Sequence, residues 1–433
     1  MIDLKKYLDI TNKQLWTYTG QVTKVIGMAI ESLGPFVNIG DICCIEAAGG
    51  QKQVLAEVVG FKEKHILLMP LGNLEGIGPG CKVKSFGDKL NIKVGEQLLG
   101  QVVNWQAEPI SGEKIDCRDS MPLENTAPNP LTRKRITSNM ELGIRTIDGM
   151  LSIGKGQRIG IFAGSGVGKS TLLGMIARNA LSDVNIIALI GERGREVREF
   201  LEKDLKEEGL KRSIVVVATS DQPALIRLKA AQTATALAEY FRDQGKDVLL
   251  MMDSLTRFSM AQREIGLATG EPPVSRGYTP SVFAVMPKLL ERAGNSDKGS
   301  ITGMYTVLVD GDDFNEPITD TARGILDGHI VLSRKLANKG HYPAIDVLAS
   351  ISRVMNDIVT EEHKGLAIEI KKHMAIYKES EDLINVGAYN KGSNKEIDKA
   401  IEKIGKINQF LCQSVHDKVD FQNTLEHMKK IIN

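Results

Sequence analysis

The sequence predicts an α/β protein in three parts: a small N-terminal β-barrel, a central α/β domain on a mostly parallel sheet, and a C-terminal α-helical domain. Three observations carry this reading. From Leu15 to about Phe86, short alternating runs are punctuated by glycine. From Gly156 to about Val354, longer apolar runs alternate with helical stretches. Beyond Ile358 the chain turns charged, with Lys and Glu throughout and apolar residues at helical spacings. The expected divisions are therefore 1–86, 87–357 and 358–433.

Composition bounds the problem. A chain of 433 residues exceeds one ordinary core, so two or three domains are expected. A formal charge of +1 argues against a dedicated nucleic-acid binder. Cys43, Cys44, Cys81, Cys117 and Cys412 are scattered, odd in number and lack a C-x-x-C pair, which reads as reduced thiols in a cytosolic protein. The start Met1-Ile2-Asp3-Leu4-Lys5-Lys6 has no long apolar region of a signal peptide, and no run is long enough to span a bilayer. A soluble, cytoplasmic protein is expected.

In the first part, the runs 20–30, 53–60 and 66–71 read as strands of a barrel without catalytic residues. The stretch 88–145 carries Pro109, Pro122, Pro128 and Pro130 and reads as an irregular entry into the next domain, with Arg133-Lys134-Arg135 as a solvated loop. The runs 185–190, 213–218, 248–252 and 301–309 are apolar enough for a sheet covered on both faces, and ligands then bind at the carboxyl ends of its strands. In the tail, Ile397, Ile401, Ile404 and Leu411 mark one apolar stripe, expected to be core. There are no internal repeats and no low-complexity tract.

The chemistry centres on residues 158–171. An apolar run turns through Ala163-Gly164-Ser165-Gly166-Val167-Gly168-Lys169-Ser170-Thr171 into a helical segment, the context of a phosphate-binding P-loop (Walker A). Backbone N–H groups and the helix N-terminus would meet phosphate oxygens. Lys169 would add a point charge at the terminal phosphates, and the Ser170 hydroxyl would hold Mg²⁺. Ala163 stands where the motif has its first glycine, which is acceptable if its φ stays negative. A bare flexible turn explains neither Lys169-Ser170 nor the flanking strand and helix. The chain is expected to bind a nucleoside triphosphate.

Two carboxylates follow buried-type strands. Asp253 closes Val248-Leu249-Leu250-Met251-Met252 in the manner of a Walker B element and would serve Mg²⁺ with Ser170; the competing reading is a cap for the next helix. Glu192 follows the run 185–190 and could orient and deprotonate an attacking water; its competitor is a surface ion pair within Gly191-Glu192-Arg193-Gly194-Arg195-Glu196.

Together with Asp253-Ser254-Leu255-Thr256-Arg257, Gly270-Glu271-Pro272-Pro273, Arg276-Gly277-Tyr278, Leu289-Leu290-Glu291-Arg292-Ala293-Gly294, the run 325–334 and His341-Tyr342-Pro343-Ala344-Ile345-Asp346, these stretches resemble the flagellar and type III secretion export ATPases, relatives of the rotary ATP synthase β subunit. The resemblance spans nearly the whole chain and is dense from Gly154 to Met355. The P-loop, Met260-Ala261-Gln262-Arg263-Glu264 and Glu291-Arg292-Ala293-Gly294-Asn295 look flagellar, whereas injectisome members more often carry Cys-Gly-Lys-Thr-like P-loops.

The resemblance implies a P-loop (RecA-like) central domain and Mg²⁺-dependent ATP hydrolysis that energises protein export. It implies that Glu192 is the general base, that Lys169, Ser170 and Asp253 serve phosphate and Mg²⁺, and that Arg353 in Ser350-Ile351-Ser352-Arg353 is an arginine finger reaching a neighbouring subunit's nucleotide. A planar, always-charged guanidinium suits the equatorial oxygens of a transferring phosphoryl group. Tyr342 aligns with the aromatic that packs on adenine, and Arg193 and Arg257 match active-site arginines. Also implied are a homo-hexamer, regulatory and stalk proteins, export substrates with their chaperones, and an export gate at the membrane. The protein would then associate peripherally with the inner face of the cell membrane and bind no nucleic acid. Three alternatives stand beside this one, the first being the ATPase of a non-flagellar type III secretion injectisome. An RNA-translocating hexamer lacks support in the N-terminal region, which shows no aromatic-and-basic platform, and a non-catalytic subunit would not need Glu192.

Overall fold

The computed structural model describes residues 18–49, 52–87, 89–309 and 313–432. Six strands form the N-terminal barrel: β1 (Thr19–Ile26), β2 (Ala29–Leu33), β3 (Ile42–Glu46), β4 (Gln53–Lys62), β5 (His65–Pro70) and β6 (Lys82–Ser85). They close in the order β1-β2-β5-β4-β3-β6, with β6 pairing back onto β1. Alternation along the strands places Val22, Ile30, Ile45, Val58, Leu68 and Val83 in the barrel's own core.

The central sheet gathers eight strands: β7 (Val102–Val103), β8 (Arg158–Ala163), β9 (Val184–Ile190), β10 (Ser213–Ala218), β11 (Asp247–Asp253), β12 (Ser300–Leu308), β13 (Gly328–Leu332) and β14 (Ile351–Ser352). Their order is β14-β13-β8-β12-β11-β9-β10-β7, parallel throughout except for β14, which runs antiparallel to β13. The two-residue segment Gly294–Asn295 pairs with β12 off this path. The apolar continuity of β9, with all seven residues buried, has a direct cause. Ile186, Ala188 and Ile190 enter the core beneath α2 (Ala224–Asp243), while Ile187 and Leu189 enter the one shared with α1 (Lys169–Asn179). A sheet covered on both faces leaves no polar side for alternation to mark.

The entry segment 88–145 is more ordered than its prolines suggest. Asn91–Val94 pairs with Asp119–Pro122, and β7 joins the edge of the central sheet beside β10. Arg133 departs from the expected solvated loop. Its guanidinium donates to the carbonyl of Ala293 at 3.0 Å and to Glu291, with the side chain only 20% exposed.

The C-terminal part holds α4 (Glu361–Asn385), α5 (Lys395–Leu411) and α6 (Phe421–Ile432) after α3 (Leu255–Ala268) of the central domain. The apolar stripe of α5 is rotated from the expected one. Ala400, Ile407, Phe410 and Leu411 are buried, whereas Ile401 is 37% exposed and Ile397 and Ile404 only half-buried. Isoleucine is the larger residue, but Ala400 holds the position that faces the neighbouring helices. This domain seats on the short helix Arg145–Met150, where His363 Nε2 lies 2.7 Å from the carbonyl of Gly149. The barrel is fastened from the other side: Lys229 of α2 pairs with Glu57 of β4 at 2.6 Å, both side chains at least 90% buried. Among the described residues no helix is long and apolar enough to cross a membrane.

Candidate functional site

Strand β8 ends at Ala163, which keeps an ordinary strand conformation; the turn is made beyond it. Gly166 and Gly168 have φ of 76° and 87°, the left-handed region that costs a side-chain-bearing residue energy. The missing first glycine is therefore of no consequence, because the reversal falls on the later two. Gly168 caps α1 and Lys169 is its first residue, so unpaired N–H groups and the positive helix end face the loop's concavity.

Lys169 organises the charges. Its Nζ lies 2.5 Å from Asp253 Oδ1 and 3.5 Å from Glu192 Oε1. Burial disfavours the ammonium, but the two carboxylates outweigh it and raise the lysine above its ordinary value. Asp253 Oδ1 also accepts from Thr306 Oγ1 at 2.7 Å. Burial, reinforced by the negative charge of Asp253, pushes Glu192 up to about 7 against the opposing pull of Lys169. Glu196 goes the other way: its hydrogen bond with Glu192 holds it below the ordinary carboxylate range. Ser170, Leu189, Glu192, Glu196, Val197, Phe200 and Asp253 line one pocket at the carboxyl edge of the sheet.

The capping alternative for Asp253 fails. Ser254 caps α3, its side chain accepting the N–H of Arg257, and Asp253 stays 6% exposed within the pocket. Arg257 packs its Cβ and Cγ over Gly191, and its Nε is buried without a hydrogen-bond partner. Arg193 is not gathered in; its side chain is 82% exposed and pairs with Glu196 at 3.9 Å. Tyr342 lies over the loop, since a Cβ placed on Gly168 would stand 3.5 Å from its ring. Arg353 lies elsewhere, exposed, with its guanidinium on the carbonyl of Arg323 at 3.2 Å. Thr306 and Glu196 escaped the sequence reading. Thr306 had no distinguishing signal, since its strand also carries the hydroxyls of Ser300, Thr302 and Tyr305; what singles it out is its place beside the strand that ends at Asp253.

A loop of Gly168, Lys169 and Ser170 over a parallel sheet, with two carboxylates on the lysine, defines a P-loop nucleoside-triphosphate hydrolase with a barrel before it and helices after it. Comparison with known proteins narrows the class. Residues 143–352 match the ATP synthase alpha/beta family nucleotide-binding domain, 22–87 its beta-barrel domain, and 359–430 the T3SS EscN ATPase C-terminal domain. A flagellum-specific ATP synthase of Bacillus subtilis is 60% identical over 400 residues, covering 92% of this chain and 91% of that protein. A type 3 secretion system ATPase of Xanthomonas euvesicatoria is 50% identical, covering 95% and 93%. The assembled ATPase EscN from the enteropathogenic E. coli type III secretion system superposes with a TM-score of 0.91 at 48% identity, over 96% of this chain and all of that one. The chain belongs to the ATP synthase alpha/beta family, in its branch of flagellar and type III secretion ATPases.

Proposed function

We propose that this chain hydrolyses Mg-ATP in a closed ring and thereby energises protein export through the flagellar type III apparatus. The observation that carries the reading is Lys169 held between Asp253 and Glu192 at the mouth of the P-loop. The two carboxylates balance the charge of an ammonium placed where triphosphate oxygens would lie. Lys169 would face the phosphates, and the Asp253 carboxylate and Ser170 hydroxyl, hard oxygen donors in one pocket, would hold the Mg²⁺ of the substrate. That cation would neutralise charge on the phosphate oxygens. Glu192, whose affinity for a proton is raised by burial, orients the attacking water and takes its proton.

Arg353 supports a ring. Its N–H bonds the carbonyl of Asp327, whose own N–H bonds Arg158, the first residue of β8. The P-loop begins beyond Ala163, five strand steps on, or about 17 Å at ~3.3 Å each. No side chain covers that gap, so an arginine finger at Arg353 serves a neighbouring chain's nucleotide. EscN has been solved assembled and in complex with its central stalk EscO. By that likeness we infer a homo-hexamer and a stalk partner here, together with regulators, export substrates and their chaperones, and an export gate at the inner face of the membrane. The divisions at 86 and 357 and the roles given to Tyr342, Arg193 and Arg257 belong to the same reading.

Replacing the chain in its own cell with Glu192→Gln, and measuring secreted flagellar subunits, tests the proposal. Loss of flagellar export is expected; undiminished flagellar export with loss of another secretion process would move the chain to an injectisome.

A further inference from the structure

The segment between α5 and α6 does more than connect them. It runs back across the nucleotide domain and is bonded to it at Cys412, Gln413 and Val415, beside the last residue of α5, Leu411. Thr146 Oγ1 donates to the carbonyl of Leu411 at 2.8 Å, Arg145 to that of Cys412 at 2.7 Å, and Arg178, in the last turn of the P-loop helix α1, to that of Val415 at 2.9 Å. At the centre sits Gln413, 5% exposed. Its Oε1 accepts the N–H of Arg145 at 2.9 Å, and its Nε2 donates to the carbonyls of Gly143 at 2.8 Å and Asp417 at 3.2 Å. Its side chain is thus saturated by the turn at 143–145 and by its own segment. Its main-chain N–H is spent differently, on the carbonyl of Tyr342 at 2.9 Å.

Tyr342 is the half-exposed ring lying against Gly168 of the P-loop. An exposed aromatic beside a phosphate loop has one face to offer a base, and its direction is set by the backbone that carries it. That backbone is tied by Gln413. We propose that Gln413 is a positioning residue for nucleotide-base recognition: by locking the 412–417 segment to the 143–145 turn, it fixes Tyr342 over the P-loop and makes ATP affinity depend on the seating of the C-terminal helices. This rests on the reading of Tyr342 as the base-stacking residue, and the test separates the two claims.

The test is direct binding, in the full-length chain with Mg²⁺, of ATP and of inorganic tripolyphosphate. The second probe engages the P-loop but has no base for Tyr342. Three variants are compared with the parent: Tyr342→Ala, Gln413→Ala and Gln413→Glu. The last is near-isosteric and keeps the acceptor for Arg145, but turns an acceptor toward the carbonyls of Gly143 and Asp417. Each is expected to weaken ATP by about tenfold, the scale of one lost base–aromatic stack, with tripolyphosphate unchanged within about twofold. If Tyr342→Ala leaves ATP binding intact, the stacking reading falls and the inference with it. If Tyr342→Ala weakens ATP but both Gln413 variants bind it as the parent does, the inference alone is overturned. Equal loss of both ligands in both Gln413 variants also overturns it, because Gln413 would then support the whole loop rather than the base side.

Discussion

At the scale of single residues, the site is a balance of charges around one lysine. Lys169→Ala removes the cation that offsets Asp253 and Glu192, so nucleotide binding should collapse and hydrolysis with it. Glu192→Gln leaves the phosphate ligands in place; ATP should still bind while turnover falls by roughly 10²–10⁴, the usual worth of a general base. Nucleotide binding measured beside turnover checks both, and near-normal turnover in Glu192→Gln would remove Glu192 as base. The raised Glu192 also has a stability signature. Its folded-state value of about 7 lies above the ordinary 4.5, so the folded chain holds a proton that the unfolded chain gives up. That contribution is complete below the ordinary value and is lost as pH rises through about 7. Glu192 should therefore contribute a loss of stability from about pH 5 to about pH 8, read as the difference in thermal unfolding between the parent and Glu192→Gln.

At the scale of elements, the deepest charge pair lies at the opposite end of the sheet. Arg292, just past the helix Pro280–Leu290, donates to both oxygens of Glu239 on α2 at 2.9 and 2.7 Å and to the carbonyl of Leu123, with side chains 4% and 0% exposed. Removing one member leaves a buried charge uncompensated, so Arg292→Ala should cost roughly 3–5 kcal/mol in denaturant unfolding. A cost below about 1 kcal/mol would mean that water reaches the pair. Elements also decide what a sequence reveals. The P-loop and Asp253 were legible because each is a local pattern: a strand, a charged or polar turn, a helix. Glu192 was half legible, since its neighbours in sequence are charged and only the fold turns Glu192 inward while Arg193 and Arg195 stay exposed. Thr306, the rotated stripe of α5 and the bonds of Arg133 depend on which element lies opposite, and no local period encodes that. In the sequence Arg353 resembles an ordinary helix-end arginine; the structure puts it just past the short strand β14, about five residues below the loop.

At the scale of the whole molecule, the three parts do not sit as beads. Ile42, Met69 and Leu71 of the barrel region join the apolar core beneath α2, and Lys229 is buried against Glu57. Deleting residues 1–86 would bare that core surface and leave Lys229 with Glu124 alone, so a truncated chain should lose stability as well as assembly. For the intact chain, the proposed completion of the site by a neighbour's arginine would make activity a property of the ring. Specific activity should rise cooperatively with protein concentration and with nucleotide, because ligand at the interface favours the assembled form. Turnover measured beside mass across dilution checks this; constant activity in a species that stays monomeric would contradict it.

The most direct measurement mixes two inactive chains. Arg353→Ala keeps Glu192 and lacks the finger, whereas Glu192→Gln keeps the finger and lacks the base. In mixed rings, about a quarter of the interfaces join an intact Glu192 to an intact Arg353. ATP hydrolysis should therefore reappear on mixing, to a sizeable fraction of that quarter, while each variant alone stays near background. If mixed rings form by mass and activity does not return, Arg353 does not act across the interface and the shared-site account is wrong.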